Sequence, residues 1–356
     1  MSPTLPLDDS ARLLDEVQAA LASQTPLKIR GGDSKAFLGR TAKPQANEID
    51  TRSHCGVVEY DPTELVITVR AGTTVSALNQ ILTEQGQVLA CEPPVFDGKA
   101  TVGGMVASGL AGPRRPWAGS VRDFVLGCRI ITGHGKHLAF GGQVMKNVAG
   151  YDVSRLMAGS HGCLGLLTEL SLKVLPRPRA AQSLTLAVDA YSALNSLTKW
   201  RRAALPVTGA CHADGVLHLR LEGGEGSVKA AVQTIGGDTL DAGFWDLLRE
   251  QQLPFFEDTR PLWRLSLPTN TPVQNLPGKA LLDWGGAQRW LKSDAPAEEL
   301  RALAQSLGGH ATCFTPPSDV EPFQPLSAPM LRYQQQLKHA LDPHGIFNPG
   351  RMYASL

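Results

Sequence analysis

The stretch "IRGGDSKAFLG", residues 29–39, follows an amphipathic segment and a short apolar run. Two adjacent glycines directly after a strand let the backbone bend tightly and approach a ligand, and successive N–H groups in such a bend cradle an anion. Taken alone, a glycine pair is equally the mark of an ordinary turn, so the surrounding chain has to decide. Upstream, Leu13, Val17 and Leu21 share one face of a helix expected over 8–23, which Asp8 or Asp9 can cap. "PLKI" (26–29) then reads as a strand. Downstream, "GVVEY" (56–60) and "LVITVR" (65–70) are strands joined by the turn Asp61-Pro62-Thr63-Glu64. A helix over 74–85 builds on Val75, Leu78, Ile81 and Leu82 and stops at Gly86. "FVLGCRIITGHGKHLAF" (124–140) is a hairpin around Gly-His-Gly, and "LGLLTELSLKVLP" (164–176) is a long strand ending at Pro176 and Pro178.

The Pro-Arg-Pro-Arg run at 176–179 marks a boundary, because the rhythm changes after it. Strand 183–189, helix 191–203, strands 208–213 and 216–222 and helix 225–235 give a β-α-β-β-α order, the beginning of a ferredoxin-like unit. Strands near 262–267, 280–284 and 288–292 with a helix at 295–307 suggest a second, incomplete copy. Residues 316–329 are proline-rich and irregular. A last helix, 328–341, leads into "LDPHGIFNPGRM" (341–352). The expected division is 1–178, completed by 328–356, and 179–327.

Bulk properties exclude several classes. The chain has 356 residues, 42% of them apolar and 19% charged, which is enough for a substantial core in one large or two medium domains. A net charge of +1 gives no electrostatic case for nucleic acid or an acidic membrane as partner. The six cysteines form no C-x-x-C pair, so a zinc ribbon or a thiolate-held iron–sulfur cluster is not expected, and reduced, buried thiols are. The start "MSPTLPLDDSARLL" lacks the charge pattern of a signal peptide. No run of ~18 apolar residues exists to span a bilayer. A cytoplasmic protein is expected, at most peripheral on the inner face of the cell membrane through partners.

No G-x-G-x-x-G and no G-x-x-x-x-G-K-[ST] is present, so neither a Rossmann dinucleotide site nor a Walker loop is coded. Yet glycine-dense loops recur at 31–32, 103–104, 109–112, 141–142 and 159–165. Several such loops at long separation suggest a large anionic ligand gripped from more than one side. Three stretches carry a family likeness: "IRGGDSK" (29–35), "ATVGGMVASGLAGPRRPWAGSVRDFVLG" (100–127) and "KNVAGYDVSRLMAGSHGCLGLLTELSLKVLP" (146–176). Together they resemble the flavin-binding fold of the vanillyl-alcohol oxidase and p-cresol methylhydroxylase superfamily. The closing "LDPHGIFNPGRM" resembles the signature of its lactate- and glycolate-oxidising branch. Within that branch the chain is similar to the FAD-binding subunits of bacterial glycolate oxidases.

The resemblance implies an α+β protein, a two-lobed FAD-binding domain with a shortened ferredoxin-like cap. It implies that Arg30, Gly31, Gly32, Asp33, Ser34 and Lys35 meet the FAD pyrophosphate, mainly through backbone amides. Thr101, Val102, Gly103 and Gly104 form a second wall, with Ser108 and Gly109 beside it. Gly159, Ser160, His161, Gly162 and Gly165 lie at the adenosine or pyrophosphate end. Asn348 and Arg351 fold back beside the flavin. Arg122 is expected to pair with Asp123 and place the next strand beside the cofactor, or else to be a solvated surface residue. Covalent-flavin relatives carry a histidine in the first glycine loop; Asp33-Ser34-Lys35 stands there here, so the FAD is expected to be noncovalent.

Oxidation of a 2-hydroxy acid needs a cation for the carboxylate and a base for the hydroxyl proton. Arg264, on the apolar strand "PLWRLSLP", is a carboxylate candidate or a snorkelling surface residue. "CHADGVLHLRL" (211–221) partly resembles the histidine-rich cap segment of larger relatives, through His212, Asp214 and His218. It reads more simply as a hairpin turning at Asp214-Gly215, and no metal is expected. The resemblance further implies a larger flavin-containing subunit and an iron–sulfur subunit as partners and a small 2-hydroxy acid, glycolate or D-lactate, as substrate. A stand-alone dehydrogenase and a non-catalytic, electron-relaying FAD scaffold remain open alternatives.

Overall fold

In the computed structural model, residues 7–41, 46–142 and 151–356 are described. The signal-peptide question at residues 1–6 and the "KNVAG" part of the third quoted stretch lie outside them. The chain divides into two compact units, one made of 1–111, 119–176 and 325–356, the other of 112–118 and 177–324.

The first unit opens with α1 (Ser10–Ser23), whose Leu13, Val17 and Ala20 are buried. It packs on β1 (Leu27–Arg30) and β2 (Asn47–Asp50), which pair in parallel with Ile29 opposite Ile49. The spacing of apolar residues announces α1 and β1, but not β2: "NEID" buries only Ile49, so its pattern is invisible without its partner. β3 (Val57–Asp61) and β4 (Val66–Arg70) lead to α2 (Val75–Glu84), capped by the Thr74 hydroxyl, and β5 (Gln87–Val88). α3 (Val102–Ser108) follows, despite two glycines in seven residues. Thr101 caps it, and Val102, Met105 and Val106 are buried at helical spacing. Gly103 is required because a Cβ there would stand 2.9 Å from that of Ala71.

After α4 (Arg115–Ala118) come α5 (Val121–Phe124), β6 (Val125–Ile131), β7 (His137–Gly141), α6 (Val153–Leu156), β8 (Leu166–Lys173) and β9 (Leu175–Pro176). The five longer strands form an antiparallel sheet in the order β3-β4-β8-β6-β7, while β5 pairs with β9. The polypeptide leaves this unit at Pro176.

The second unit contains two related halves. The first is β10 (Ala180–Ala187), α7 (Ala190–Arg202), β11 (Val207–Ala213), β12 (Val216–Gly223), α8 (Glu225–Ile235) and β13 (Asp238–Thr239). Its order β13-β10-β12-β11 is that of a complete ferredoxin-like motif. The closing strand is two exposed residues long, which is why its sequence carries no signal. After α9 (Phe244–Arg249) and a 3₁₀ turn at Pro254–Glu257, the second half runs β14 (Leu262–Ser266), β15 (Lys279–Asp283), β16 (Gln288–Lys292), α10 (Ala297–Ser306) and β17 (His310–Cys313). Its order β15-β16-β14-β17 repeats the motif without the first helix, so the copy is incomplete as the sequence suggests. His212 opposite Leu282 joins the halves into one eight-stranded sheet.

Segment 112–118, quoted above within the glycine-rich flavin stretch, belongs to this second unit. Both terminal nitrogen bonds of Arg114 Nη2 go to the Glu222 carboxylate at 2.5 Å, Trp284 Nε1 donates to the Gly112 carbonyl at 3.0 Å, and the Arg115 guanidinium stacks 4.3 Å from the Trp284 ring. Finally α11 (Ala328–Leu341) returns the chain to the first unit, where Ile346 and Phe347 are buried beside Leu13, Val17 and Leu27.

Candidate cofactor site

A cavity of about 500 Å³ opens in the first unit between the β1–α3 loops and the tail. Gly31, Gly32, Asp33, Ser34 and Lys35 line one side, Thr101, Gly104 and Ser108 another, and His161, Asn348 and Arg351 a third. A narrower recess of about 100 Å³ shares Gly31, Gly104, His161 and Asn348 with it and adds Gly103, Gly162, Gly165 and Leu167.

The glycine pair has no room for side chains. A Cβ on Gly32 would fall 1.5 Å from the Lys99 carbonyl oxygen, and one on Gly31 2.5 Å from Thr101 Oγ1. The amides of Gly32, Asp33 and Ser34 bond to nothing among the described residues, which leaves successive donors for an anion. Asp33, His161 and Asn348 all have positive φ (56°, 50° and 41°). Left-handed backbone at three non-glycine residues around one cavity is strain that the surrounding fold holds in place.

The tail closes the cavity through side chains. Asn348 Oδ1 accepts from the Ile29 amide and its Nδ2 donates to the His161 carbonyl, both at 2.8 Å. Arg351 donates to the carbonyls of Arg40 (2.5 Å), Leu38 (2.6 Å) and Ala36 (2.8 Å), and burial pushes its pKa down. Its guanidinium is thus engaged in shaping the 35–40 loop. Sequence reasoning places Arg351 beside the flavin but cannot show that its donors go to the backbone.

Other expected residues sit differently. Val102 is fully buried in the core on the inner face of α3. Gly109 ends α3 at φ 65° and packs on the backbone of Gly159. Arg30 pairs with Glu48 at 2.7 Å. Arg122, Gly159 and Ser160 line a separate cavity of about 290 Å³. The amides of Gly159 and His161 are taken by the carbonyls of Val106 and Ala107. The expected Arg122–Asp123 pair does not form: Asp123 caps α5 by accepting from Ser120 N and Oγ at 2.8 Å, and Arg122 is exposed. Residues that sequence reasoning missed include Ala36 and Ala107, whose side chains carry no chemical signal, and Lys28, Thr41 and Glu48, which reach the cavity from β1, the loop before β2 and β2 itself.

In the second unit, 211–221 is the hairpin that the turn chemistry implies, with Asp214 and Gly215 at φ 49° and 78°. His212 stands opposite Leu217 and His218 opposite Cys211, so the two imidazoles leave the sheet on opposite faces. His212 Nε2 lies 2.8 Å from the Val188 carbonyl, and His218 stacks on Phe244 with ring centres 4.1 Å apart. The pair cannot serve one site. Arg264 is on β14, its guanidinium 5.1 Å from the centre of the Phe314 ring.

Residues 7–141 match the family described as FAD binding domain. Over 349 residues the chain is 58% identical to the glycolate oxidase subunit GlcE of Escherichia coli, covering 98% of this chain and 99% of that one. The chain belongs to the GlcE family of glycolate oxidase subunits. More distant relatives of this family member include the glycolate oxidase subunit GlcD of Bacillus subtilis, 34% identical over 49% of this chain and 37% of that protein. Another is a D-lactate dehydrogenase of Anaerostipes hadrus, 35% identical over 37% of this chain and 28% of that protein. A solved alkyldihydroxyacetonephosphate synthase superposes over 97% of this chain and 75% of its own with a TM-score of 0.69 at 17% identity, which shows a shared fold. FAD is the cofactor of the family, and the cavity fits it: free amides and side-chain-free glycines where a diphosphate needs close backbone approach. Residues 29–39 offer no histidine or cysteine for a covalent link, and the FAD is noncovalent.

Proposed function

We propose that this chain is the FAD-binding subunit of a heteromeric glycolate oxidase that oxidises glycolate, and by the same chemistry D-lactate, to the 2-oxo acid. The observation that carries the reading is the match to a glycolate oxidase subunit along 98% of the chain. Bound FAD supplies the two-electron oxidant. The unit built from 1–111, 119–176 and 325–356 is the FAD-binding domain, and the other is the cap. Gly31, Gly32, Asp33, Ser34 and Lys35 hold the diphosphate by backbone donors, with Thr101, Gly103 and Gly104 opposite. Gly162 and Gly165 flank the narrow recess, and Asn348 and Arg351 fix the loops around the ligand.

Reduced FAD has to hand its electrons to an acceptor, which this reading places in partner subunits. A larger flavin subunit and an iron–sulfur subunit fit that need. No helix of the described residues is long and apolar enough to cross a membrane, and the reading places the complex in the cytoplasm or at the inner face of the membrane through those partners.

The test is the visible flavin spectrum of the purified protein with its co-purifying subunits, before and after anaerobic addition of glycolate. Bleaching of this subunit's flavin is the expected result. A flavin that stays oxidised in the full complex assigns the oxidation to another subunit and leaves this one a scaffold. The stand-alone reading needs a base in the cap, so full turnover in His212→Asn and His218→Asn variants would count against it.

A further inference from the structure

α11 has 14 residues and buries only Lys338. Met330, Tyr333 and Leu337 recur along it at helical spacing and share one stripe. Little covers that stripe: Met330 is 48% and Tyr333 65% exposed, and Leu337 is half-buried. Gln334 and Leu337 of α11 and Arg155 and Leu156 of α6 line the second cavity of this unit, of about 290 Å³. Tyr151, just before the α6 cap Asp152, is 96% exposed. Single apolar residues on a surface are ordinary, but these belong to the two helices that wall one cavity. Tyrosine, methionine and arginine are the residue types in which the centres of protein–protein interfaces are rich. All of these residues belong to the first unit.

The cavity has a matching polar side. Its charged side chains are Arg122, Asp152, Arg155 and Lys338. Lys338 is answered by Asp342 at 2.6 Å, and Arg155 by Asp152 at 3.4 Å. Arg122 has no hydrogen bond or ion pair among the described residues, so its charge is in surplus. Ser160 lines the same cavity and is only 5% exposed, and its hydroxyl has no hydrogen-bond partner among the described residues. A buried hydroxyl without an acceptor costs stability that an incoming acceptor returns. Met352 and Leu337 supply an apolar wall. A carboxylate on an apolar stem meets each of these demands. A free anion would answer Arg122 and Ser160 and leave Tyr151 and Tyr333 in water, whereas a polypeptide covers both.

We propose that this face docks an acidic segment of another subunit, with a carboxylate held by Arg122 and the Ser160 hydroxyl and apolar side chains laid on Tyr151, Met330 and Tyr333. This rests on the heteromeric reading above. The tyrosines bring large contact area at low cost in side-chain freedom, and Arg122 selects the sign of the partner's charge.

The test uses the protein purified with its partner subunits. A photoreactive benzoylphenylalanine in place of Tyr333 is expected to cross-link to another subunit, at a segment with more aspartate and glutamate than lysine and arginine. Mass photometry on dilution reads how tightly the assembly holds. Arg122→Glu and Tyr333→Asp are each expected to raise the apparent dissociation constant about tenfold or more, and Arg122→Lys to stay within about threefold of wild type. Added salt weakens the wild-type assembly more than that of Arg122→Glu, whose attraction is already gone. An unchanged melting temperature shows that each variant folds. An assembly as tight as wild type in both Arg122→Glu and Tyr333→Asp overturns the docking face and leaves the heteromeric reading standing. A cross-link to a second copy of this chain, or to a basic segment, also overturns it. A wild-type chain that purifies free of any other subunit removes the heteromeric reading and the docking face together.

Discussion

Gly32 and Gly226 are both glycines in short polar surroundings, but their neighbours differ. A Cβ at Gly32 would meet the Lys99 carbonyl oxygen at 1.5 Å, whereas one at Gly226 has nothing within 4 Å. Gly32→Ala forces two backbone segments apart at the cavity wall, at an overpacking cost of about 1–3 kcal/mol. It is expected to lose its FAD, read as the flavin-to-protein absorbance ratio. Gly226→Ala, near the start of α8, is expected to retain full FAD and to melt at or slightly above the wild-type temperature. Equal flavin content in the two variants would contradict the cradle. Asn348→Ala removes the acceptor of the Ile29 amide and the donor to the His161 carbonyl, and is expected to weaken FAD binding by up to about thirtyfold, each lost hydrogen bond contributing about 1 kcal/mol. At this scale the sequence is a good guide to glycines and a poor one to cations. "IRGGDSK" announces its own tight bend, but nothing in "NPGRM" tells a phosphate-binding arginine from one whose terminal nitrogens go to carbonyls.

α11 shows why the tail stays in place. It buries a single residue, Lys338. The Lys338 ammonium donates to Asp342 at 2.6 Å, the Cys163 carbonyl at 2.7 Å and the Phe347 carbonyl at 2.8 Å. Asp342 in turn accepts from the amides of Ile346 and Phe347. Lys338→Met leaves the fully buried Asp342 without its countercharge. The expected loss is about 3–5 kcal/mol, measured as a lower urea midpoint at unchanged slope; a loss below about 1 kcal/mol would show that the amides alone suffice. Helix lengths and strand runs are legible in the sequence because burial repeats at a fixed period, and the 225–235 and 328–341 helices fall at the expected residues. β2, α3 and β13 are not legible, because one buried isoleucine, two glycines or two exposed residues leave no period to detect.

The fold as a whole carries a titratable load in His54. It is fully buried, its Nδ1 accepts from the Asp9 amide at 3.0 Å, and its Nε2 has no hydrogen-bond partner among the described residues. Burial lowers its pKa below the ordinary 6.5, against the opposing pull of Asp8. The unfolded chain therefore takes up this proton more readily than the folded one. Stability is full above 6.5 and drains as pH falls below it. The melting temperature is expected to fall between about pH 7.5 and about pH 5.5, and His54→Asn, which can still accept from Asp9, to fall less. An equal fall in the variant would assign the acid limb elsewhere. The α+β class and the paired ferredoxin-like halves are legible from the order of elements. The transfer of 112–118 to the other unit is not, since it depends on Glu222 and Trp284, more than a hundred residues away.

The return of the chain to its first unit also orders its biosynthesis. A ribosome makes residues 177–324 in one run, and every sheet contact of that unit except those of 112–118 is with chain made in the same interval. The unit can therefore fold as it emerges. The cavity, by contrast, waits for Asn348 and Arg351. Until those residues are made, the 29–39 loop lacks the clamp that Asn348 and Arg351 supply, while the second unit is already complete. Cofactor capture is thus expected to follow synthesis of 348–351, and a chain cut before Asn348 is expected to hold less flavin.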